Sequence, residues 1–279
     1  MTTTLLRNVR PYGEDARDLL IDGDRIIKTA DAGSIDGTDV DTVIDGSGCI
    51  ALPGLVDVHV HLREPGFESA ETVRTGSMAA AKGGFTTIFA MPNTSPAQDT
   101  AGVVDAVYAL GREAGYADVH PIGAVTVGRK GEQLAELASM AQSRAAVRMF
   151  SDDGDCVHDP LIMRRALEYV KAFDGGIAQH AQEPKLTIGA QMNEGALSAE
   201  LGLGGWPTAA ETSIIARDAI LAEQTGSRVH VCHLSTAQAV DVVRWAKDRG
   251  INITAEVTPH HLLPVSYTHL RAHETRGNL

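Results

Sequence analysis

The chain has 279 residues, enough for one large domain or two smaller ones with a well-buried core. Hydrophobic residues make up 43% and charged residues 22%, which excludes a disordered, collagen-like or coiled-coil protein. The 36 acidic residues outnumber the 24 basic ones, and a net charge of -12 disfavours nucleic acid and anionic membrane surfaces as partners.

The N-terminal sequence lacks the apolar segment of a signal peptide, and no run of about 18 apolar residues could span a bilayer. We therefore expect a cytoplasmic protein that does not associate with membranes. Its 3 cysteines show no CxxC spacing, which predicts reduced thiols instead of disulfides or a thiolate zinc site. Histidine is common, with 11 residues, and it is the side chain that most often binds metals.

The first part of the chain has the pattern of a small β domain. Short apolar runs between residues 5 and 52 are separated by Asp22-Gly23, Gly33 and Asp45-Gly46. Asp-Gly pairs supply turn residues that tolerate positive φ, as hairpins require. We expect a β domain that forms part of a sandwich over residues 1–54.

From Leu55 onward, strand-like apolar runs alternate with helical segments. Seven strands are predicted, at residues 55–62, 85–91, 118–125, 146–151, 176–180, 228–234 and 252–257. Helices are predicted at residues 70–82, 102–114, 160–172, 208–225 and 236–248. This alternation indicates an α/β fold: an incomplete (β/α)₈ barrel of the TIM type over residues 55–264. A doubly wound open sheet is the alternative, although no GxGxxG motif follows the first strand.

Histidines and an aspartate stand at the carboxyl ends of several predicted strands. In VDVHVHL the two-residue period of a strand places His59 and His61 on one face. Asp153, His180 and His233 follow later strands, and these ends converge on one mouth of a barrel. The set suits one or two Zn²⁺ ions, and a shared carboxylate would offset the repulsion between two cations. The alternative is a pair of structural histidines.

Several other residues could bind a metal but are not part of the predicted ligand set. Asp152 precedes Asp153 in an Asp-Asp-Gly triplet that could also be a solvated loop. Strand alternation places His230 and Cys232 on the face opposite His233, so we expect them outside the site. His120 begins a strand and His158 lies in a loop.

Several motifs carry a resemblance to a known family. PGLVDVHVHLREPG at residues 53–66 resembles the amidohydrolase superfamily, and its HLREPG segment resembles the dihydroorotases in particular. The resemblance extends from about residue 5 to about residue 264. Its further motifs are MPNT at 91–94, FSDDG at 150–154, QHA at 179–181, ETSIIARDAILAEQTG at 211–226, VCHLST at 231–236 and TPHHL at 258–262.

The resemblance implies a binuclear zinc site. His59 and His61 would hold one ion, His180 and His233 the other, and Asp153 would bridge them. The related hydantoinases, dihydropyrimidinases and allantoinases bridge with a carbamylated lysine, but residues 146–154 contain no lysine. This favours the branch of dihydroorotases that bridges with aspartate.

The resemblance also implies a substrate and a reaction. Arg63 and Asn93 would bind the carboxylate of dihydroorotate, which a guanidinium and an amide suit chemically. The alternative for Arg63 is a surface pair with Glu64 or Glu68. The implied activity is the reversible metal-dependent hydrolysis of the cyclic amide of dihydroorotate to N-carbamoyl-aspartate, in pyrimidine biosynthesis.

Two other functions remain open from the sequence. One is a different cyclic amidohydrolase, such as an allantoinase or hydantoinase, which a substrate panel would separate. The other is a noncatalytic dihydroorotase-like partner of aspartate transcarbamoylase. The sequence leaves open whether the chain forms a homodimer or associates with that enzyme.

The sequence departs from the family near its end. The family's general acid/base is an aspartate of a DxAPH motif at the end of strand eight, and the chain contains no such motif. VSYTHLRAHETRGNL at residues 265–279 has no likeness to the family, and we expect a non-native tail there. We therefore expect the chain as written to be unstable or inactive.

Overall fold

A computed structural model describes residues 2–258 and residue 261. The chain divides into two compact units between Leu55 and Val56. The predicted tail at residues 265–279 lies outside the described residues, as does most of the TPHHL segment.

The first unit is a single five-stranded sheet. Its strands are β1 (Thr3–Pro11), β2 (Arg17–Asp22), β3 (Arg25–Asp31), β4 (Thr42–Asp45) and β5 (Ile50–Ala51). They follow the order β3-β2-β1-β4, and β5 also pairs with β1. Gly23 has a φ of 59° in the two-residue turn between β2 and β3, as its Asp-Gly pair predicted. Residues 2–55 contain no second sheet, so the partial sandwich stays a prediction.

The second unit contains the seven predicted strands, which confirms the expected α/β alternation. They are β6 (Leu55–Val60), β7 (Phe85–Ala90), β8 (Asp118–Pro121), β9 (Met149–Phe150), β10 (Gly176–Gln179), β13 (Arg228–Val231) and β14 (Ile253–Ala255). β6, β7 and β8 form one sheet, and β9, β10, β13 and β14 form another in chain order. A parallel bridge between Gly123 and Phe150 links the two sheets. The short strands β11 (Met192–Asn193) and β12 (Gly205–Trp206) pair with each other.

Helices connect these strands close to the predicted positions. They are α1 (Val73–Lys82), α2 (Ala101–Ala114), α3 (Leu137–Gln142), α4 (Pro160–Val170), α5 (Ala196–Leu201), α6 (Ala209–Thr225) and α7 (Ala237–Asp248). Their starts follow from capping side chains. Asp159 accepts hydrogen bonds from the amides of Leu161 and Ile162, and Thr236 accepts one from Ala239. No helix among the described residues is long and apolar enough to cross a bilayer, and the cytoplasmic location stays a prediction.

Two apolar layers enclose the strands. Val229 and Val231 of β13 belong to the large cluster that packs the strands against α4, α6 and α7. Cys232 belongs to a separate cluster with Met91, Ile122 and Ala178, inside the curved sheet. Strand β10 is therefore buried on both faces, as parallel strands covered by helices are, whereas Leu55, Val56 and Val58 of β6 are exposed. The carboxyl ends of the strands hold the polar side chains that form the site.

A close contact between α2 and β8 explains one glycine of this helix. A Cβ added to Gly111 would lie 2.5 Å from the Cβ of Val119, whereas one added to Gly102 meets nothing within 4 Å. We predict that Gly111→Ala lowers the free energy of unfolding by about 1–3 kcal/mol through overpacking. Gly102→Ala, in the same helix, should leave it unchanged or raise it by up to about 1 kcal/mol. Urea unfolding of both variants measures the difference, and equal effects would contradict this packing.

Candidate metal centre

Four imidazoles surround one carboxylate at the carboxyl ends of the strands. Nε2 of His59 and Nε2 of His61 each lie 3.5 Å from Oδ2 of Asp153. Nδ1 of His180 and Nε2 of His233 lie 3.3 and 3.2 Å from its other oxygen, Oδ1. The structure thus brings together all five residues that the sequence singled out as ligands, and Asp153 presents one oxygen to each pair.

These distances fit two cations with shared ligation. Zinc–nitrogen and zinc–oxygen bonds of about 2.0–2.1 Å at tetrahedral angles separate neighbouring ligand atoms by about 3.3 Å. Separations of 3.2–3.5 Å between Asp153 and the imidazoles match that value, and His180 Nδ1 lies 3.0 Å from His233 Nε2. His59, His61 and Asp153 form one group of ligand atoms, and Asp153, His180 and His233 form another.

Outer partners orient three of the imidazoles. Nδ1 of His59 donates to Oε1 of Glu256 at 2.6 Å, and Nδ1 of His61 donates to Oδ1 of Asn93 at 2.9 Å. Nε2 of His180 donates to Oε1 of Gln182 at 2.8 Å. When these rings are neutral, the nitrogen that faces Asp153 has the lone pair that a metal ligand needs.

The charges of this cluster are strongly coupled. Although burial lowers the pKa of His59, its hydrogen bonds with Asp153, Cys232 and Glu256 raise that pKa to about 12. Burial alone would raise the pKa of Asp153, but hydrogen bonds from His180, His233 and His59 hold it below its ordinary range. Protons and cations therefore compete for the same nitrogen and oxygen atoms, so cation binding releases protons.

The loop that carries Asp153 is fixed by its neighbours. Asp152 is fully buried, and its Oδ1 accepts hydrogen bonds from the amides of Val125 and Thr126 at 2.8 and 3.0 Å. The hydroxyl of Thr126 donates to its other oxygen. Gly154 has a φ of 88°, and a Cβ there would lie 3.1 Å from the guanidinium of Arg129, which donates to the carbonyl of Asp153. The alternative of a solvated loop is therefore wrong for Asp152.

Removing the Asp152 carboxylate should loosen this loop. We predict that Asp152→Ala lowers the free energy of unfolding by about 3 kcal/mol or more, because it leaves three buried donors unsatisfied. Asp155→Ala is the matched control. Asp155 is 55% exposed and contacts Arg129 at 3.2 Å, so its loss should cost under about 1 kcal/mol. Chemical unfolding of both variants tests this, and an equal loss of stability would contradict it.

The chain turns sharply at His233. Strand β13 ends at Val231, and His233 has a φ of 35°, so the alternation of side chains stops before it. The turn is held by Glu211, which accepts hydrogen bonds from the amides of Ser235 and Thr236 and from the Thr236 hydroxyl. His233 therefore reaches Asp153 although strand parity would direct it toward the helices.

The expectation for His230 and Cys232 is corrected by this turn. They share a face, as predicted, but that face is the interior one and it adjoins the site. Cys232 is completely buried next to His59 and Glu256, with a ligand atom of each within 4.8 Å. Nε2 of His230 lies 3.7 Å from Oε2 of Glu256.

Arg63 and Asn93 lie beside His61. Burial is the main cause of the lowered pKa of His61, and the nearby positive charge of Arg63 lowers that pKa further. Its proposed surface partners are engaged elsewhere, since Glu64 accepts from the amide of Val73 and Glu68 from that of Gly66. The described residues provide no ion pair for Arg63. The side-chain oxygen of Asn93 accepts the hydrogen bond that orients His61. The Nδ2 of Asn93 lies near Gly154.

Sequence reasoning missed three residues of the site. Glu256 follows β14, so its position at the carboxyl end of a strand could have identified it as a site residue. Gln182 stands two residues after His180, which was a weaker signal. Glu211 belongs to α6 and resembles a surface residue of a helix start, although it is 7% exposed. A cavity of about 660 Å³ opens above the imidazoles, lined also by Asp57, Trp206, Ser235 and Thr258.

Comparison with known families agrees with this geometry. A family model described as dihydro-orotase-like matches residues 48–239, which include every predicted ligand. The chain belongs to the dihydro-orotase-like family. This confirms the resemblance that the sequence motifs carried.

Curated relatives of this family are similar over most of the chain. A dihydroorotase of Leifsonia xyli subsp. xyli is 70% identical over 246 residues, covering 88% of this chain and 56% of the relative. A dihydroorotase of Streptomyces coelicolor is 62% identical, covering 94% and 61%. One of Mycobacterium tuberculosis is 57% identical, covering 94% and 60%. The chain thus spans about three fifths of the length of these relatives.

Solved structures share the fold. The L-hydantoinase (dihydropyrimidinase) of Arthrobacter aurescens superposes with a TM-score of 0.75 at 21% identity, covering 93% of this chain and 59% of that one. The dihydropyrimidinase of Brevibacillus agri gives a TM-score of 0.70 at 22% identity, covering 94% and 59%. At this identity the comparison supports the barrel-type amidohydrolase fold and nothing finer.

Proposed function

We propose that this chain carries the metal centre and the substrate-carboxylate site of a dihydroorotase. The reaction is the reversible hydrolysis of the cyclic amide of dihydroorotate to N-carbamoyl-aspartate. The observation that carries the proposal is the position of Asp153, one oxygen of which faces each pair of imidazoles. The identity of 57–70% to relatives named dihydroorotase supports the same reaction.

The metal centre would hold two Zn²⁺ ions. His59 and His61 would bind one, His180 and His233 the other, and Asp153 both. The donor set is mostly imidazole with one carboxylate, which suits borderline cations such as zinc. Bound divalent cations lower the pKa of water toward neutrality and polarise a carbonyl oxygen, which are the two requirements of amide hydrolysis.

The protein's own residues orient the substrate. Arg63 would pair with the substrate carboxylate, because a guanidinium offers two parallel donors to two oxygens. Asn93 would add its Nδ2, since its oxygen is already used by His61. The cavity of about 660 Å³ above the imidazoles, lined by His59, His61, His180 and His233, has room for a small ring beside these ligands.

The same residues argue against the other activities. A hydantoinase or allantoinase of the related type would need a lysine near β9, and residues 146–154 contain none. A noncatalytic partner of aspartate transcarbamoylase would have no use for five ligand residues, three of them oriented by outer partners. Homodimer formation and association with aspartate transcarbamoylase stay predictions.

Ligand selectivity tests the proposed substrate. Calorimetric titration of the zinc-loaded chain should show dihydroorotate binding at least about 30-fold more tightly than dihydrouracil, the same ring without the carboxylate, in keeping with a charged pair worth about 2 kcal/mol or more. Hydantoin and allantoin should bind no better than dihydrouracil. Equal affinity for dihydroorotate and dihydrouracil would contradict the proposed substrate.

A further inference from the structure

A second group of metal-ligand atoms lies on the interior side of His59. We call it the inner cluster: Cys232, Glu256 and His59. One ligand atom from each residue lies within 4.8 Å of the others. Nδ1 of His59 faces Glu256 at 2.6 Å, while Nε2 of the same ring faces Asp153 at 3.5 Å. His59 thus presents its two nitrogens to two different groups of ligands.

The chemistry of the inner cluster differs from that of the Asp153 site. It contains a thiol, whereas the residues around Asp153 offer only nitrogen and oxygen. Thiolate ligands favour soft cations. A thiolate at Cys232 and the carboxylate of Glu256 together carry two negative charges, which neutralise a divalent cation in a place where Cys232 is fully buried.

A fourth ligand stands beside this group. Nε2 of His230 lies 3.7 Å from Oε2 of Glu256, which is longer than a hydrogen bond. Its other nitrogen, Nδ1, contacts the hydroxyl of Thr254 at 2.8 Å. A small movement of Glu256 or His230 would complete a set of one sulfur, two nitrogens and one oxygen, and four ligands suffice for a tetrahedral site.

We propose that the inner cluster is a site for a thiophilic divalent cation such as Cd²⁺, and that its occupation excludes the cation bound by His59 and His61. The exclusion follows from His59, because a neutral imidazole has a lone pair on only one of its nitrogens. A cation at Nδ1 leaves the proton on Nε2, so the ring would have to lose that proton as well, as an imidazolate, before Nε2 could bind a second cation beside Asp153. Cys232 loses its thiol proton to solvent on binding. The exclusion rests on the proposed zinc centre, but the binding does not.

The binding is tested on zinc-free protein with Cys49→Ser and Cys156→Ser, so that Cys232 is the remaining thiol. Titration with Cd²⁺ should produce the ultraviolet charge-transfer band of a cadmium thiolate, which saturates at one equivalent per chain. The band should vanish with the additional change Cys232→Ser, and Glu256→Gln should weaken Cd²⁺ binding at least about 10-fold. Cadmium-edge X-ray absorption of the parent should show one sulfur neighbour, a result that needs no Cys232 variant to fold.

The exclusion is tested on the zinc-loaded protein with the same two serines. One equivalent of Cd²⁺ should release one zinc ion per chain, measured by elemental analysis after gel filtration. No thiolate band and no sulfur neighbour in the parent would overturn the inner site. A full thiolate band with both zinc ions retained would overturn the exclusion. A chain that binds no zinc before cadmium is added would count against the proposed function and not against the inner site.

Discussion

Replacing Asp153 by alanine should abolish the binding of both zinc ions while the fold persists. Each oxygen of this carboxylate lies within 3.5 Å of one imidazole pair, so its loss leaves each cation with two protein ligands. It also removes the negative charge that offsets the repulsion between the cations. Because loss of an outer partner alone costs 10–100-fold in affinity, we expect the loss at each site to exceed about 100-fold.

Elemental analysis after dialysis against a low concentration of zinc measures this result. Asp155→Ala is the control, since Asp155 lies two residues away and is 55% exposed. Asp153→Asn should give an intermediate result, because an amide retains one oxygen and so supports one cation at most. Circular dichroism checks that each variant is folded. Two zinc ions per chain in folded Asp153→Ala would show that Asp153 is not the bridge.

Replacing Arg63 by methionine should remove the preference for a carboxylate-bearing substrate. We expect dihydroorotate binding to weaken by about 30-fold or more, since truncating one partner of a charged pair costs about 2–5 kcal/mol. Binding of dihydrouracil should stay unchanged, because it has no carboxylate. Arg63→Lys should keep part of the affinity, since an ammonium carries the charge without the paired donors.

Calorimetry on the zinc-loaded variants measures both ligands side by side. Arg74→Met is a matched control, because Arg74 lies on α1 and its guanidinium contacts Tyr116. An equal loss for dihydroorotate and dihydrouracil in Arg63→Met would mean that Arg63 supports the site as a whole. Unchanged binding of dihydroorotate would remove Arg63 from the substrate site.

The position of the ligands was predictable because the barrel pattern is periodic. Seven apolar runs predicted seven strands, and residues at their carboxyl ends must meet at one mouth. His59, His61, Asp153, His180 and His233 all stand at such ends. The HxH spacing also predicted the orientation of the two imidazoles, since the two-residue period of β6 places His59 and His61 on the same face.

The other features of the site could not be predicted from local sequence patterns, because they depend on how separate segments of the chain pack together. The partner of His59 is Glu256, 197 residues away, and the two meet because the fold brings the carboxyl ends of β6 and β14 to the same site. The orientation of Cys232 depends on where β13 ends, and the positive φ of His233 breaks the alternation one residue later. Glu211 shows no pattern of its own, because its role is set by the packing of α6 beside the turn at Ser235.

Anomalous diffraction at the zinc edge, from crystals of the zinc-loaded chain, tests the metal centre most directly. We expect two peaks, one between His59, His61 and Asp153 and the other between His180, His233 and Asp153. A single peak that contacts none of the Asp153 oxygens, or no peak among these five residues, would contradict this expectation.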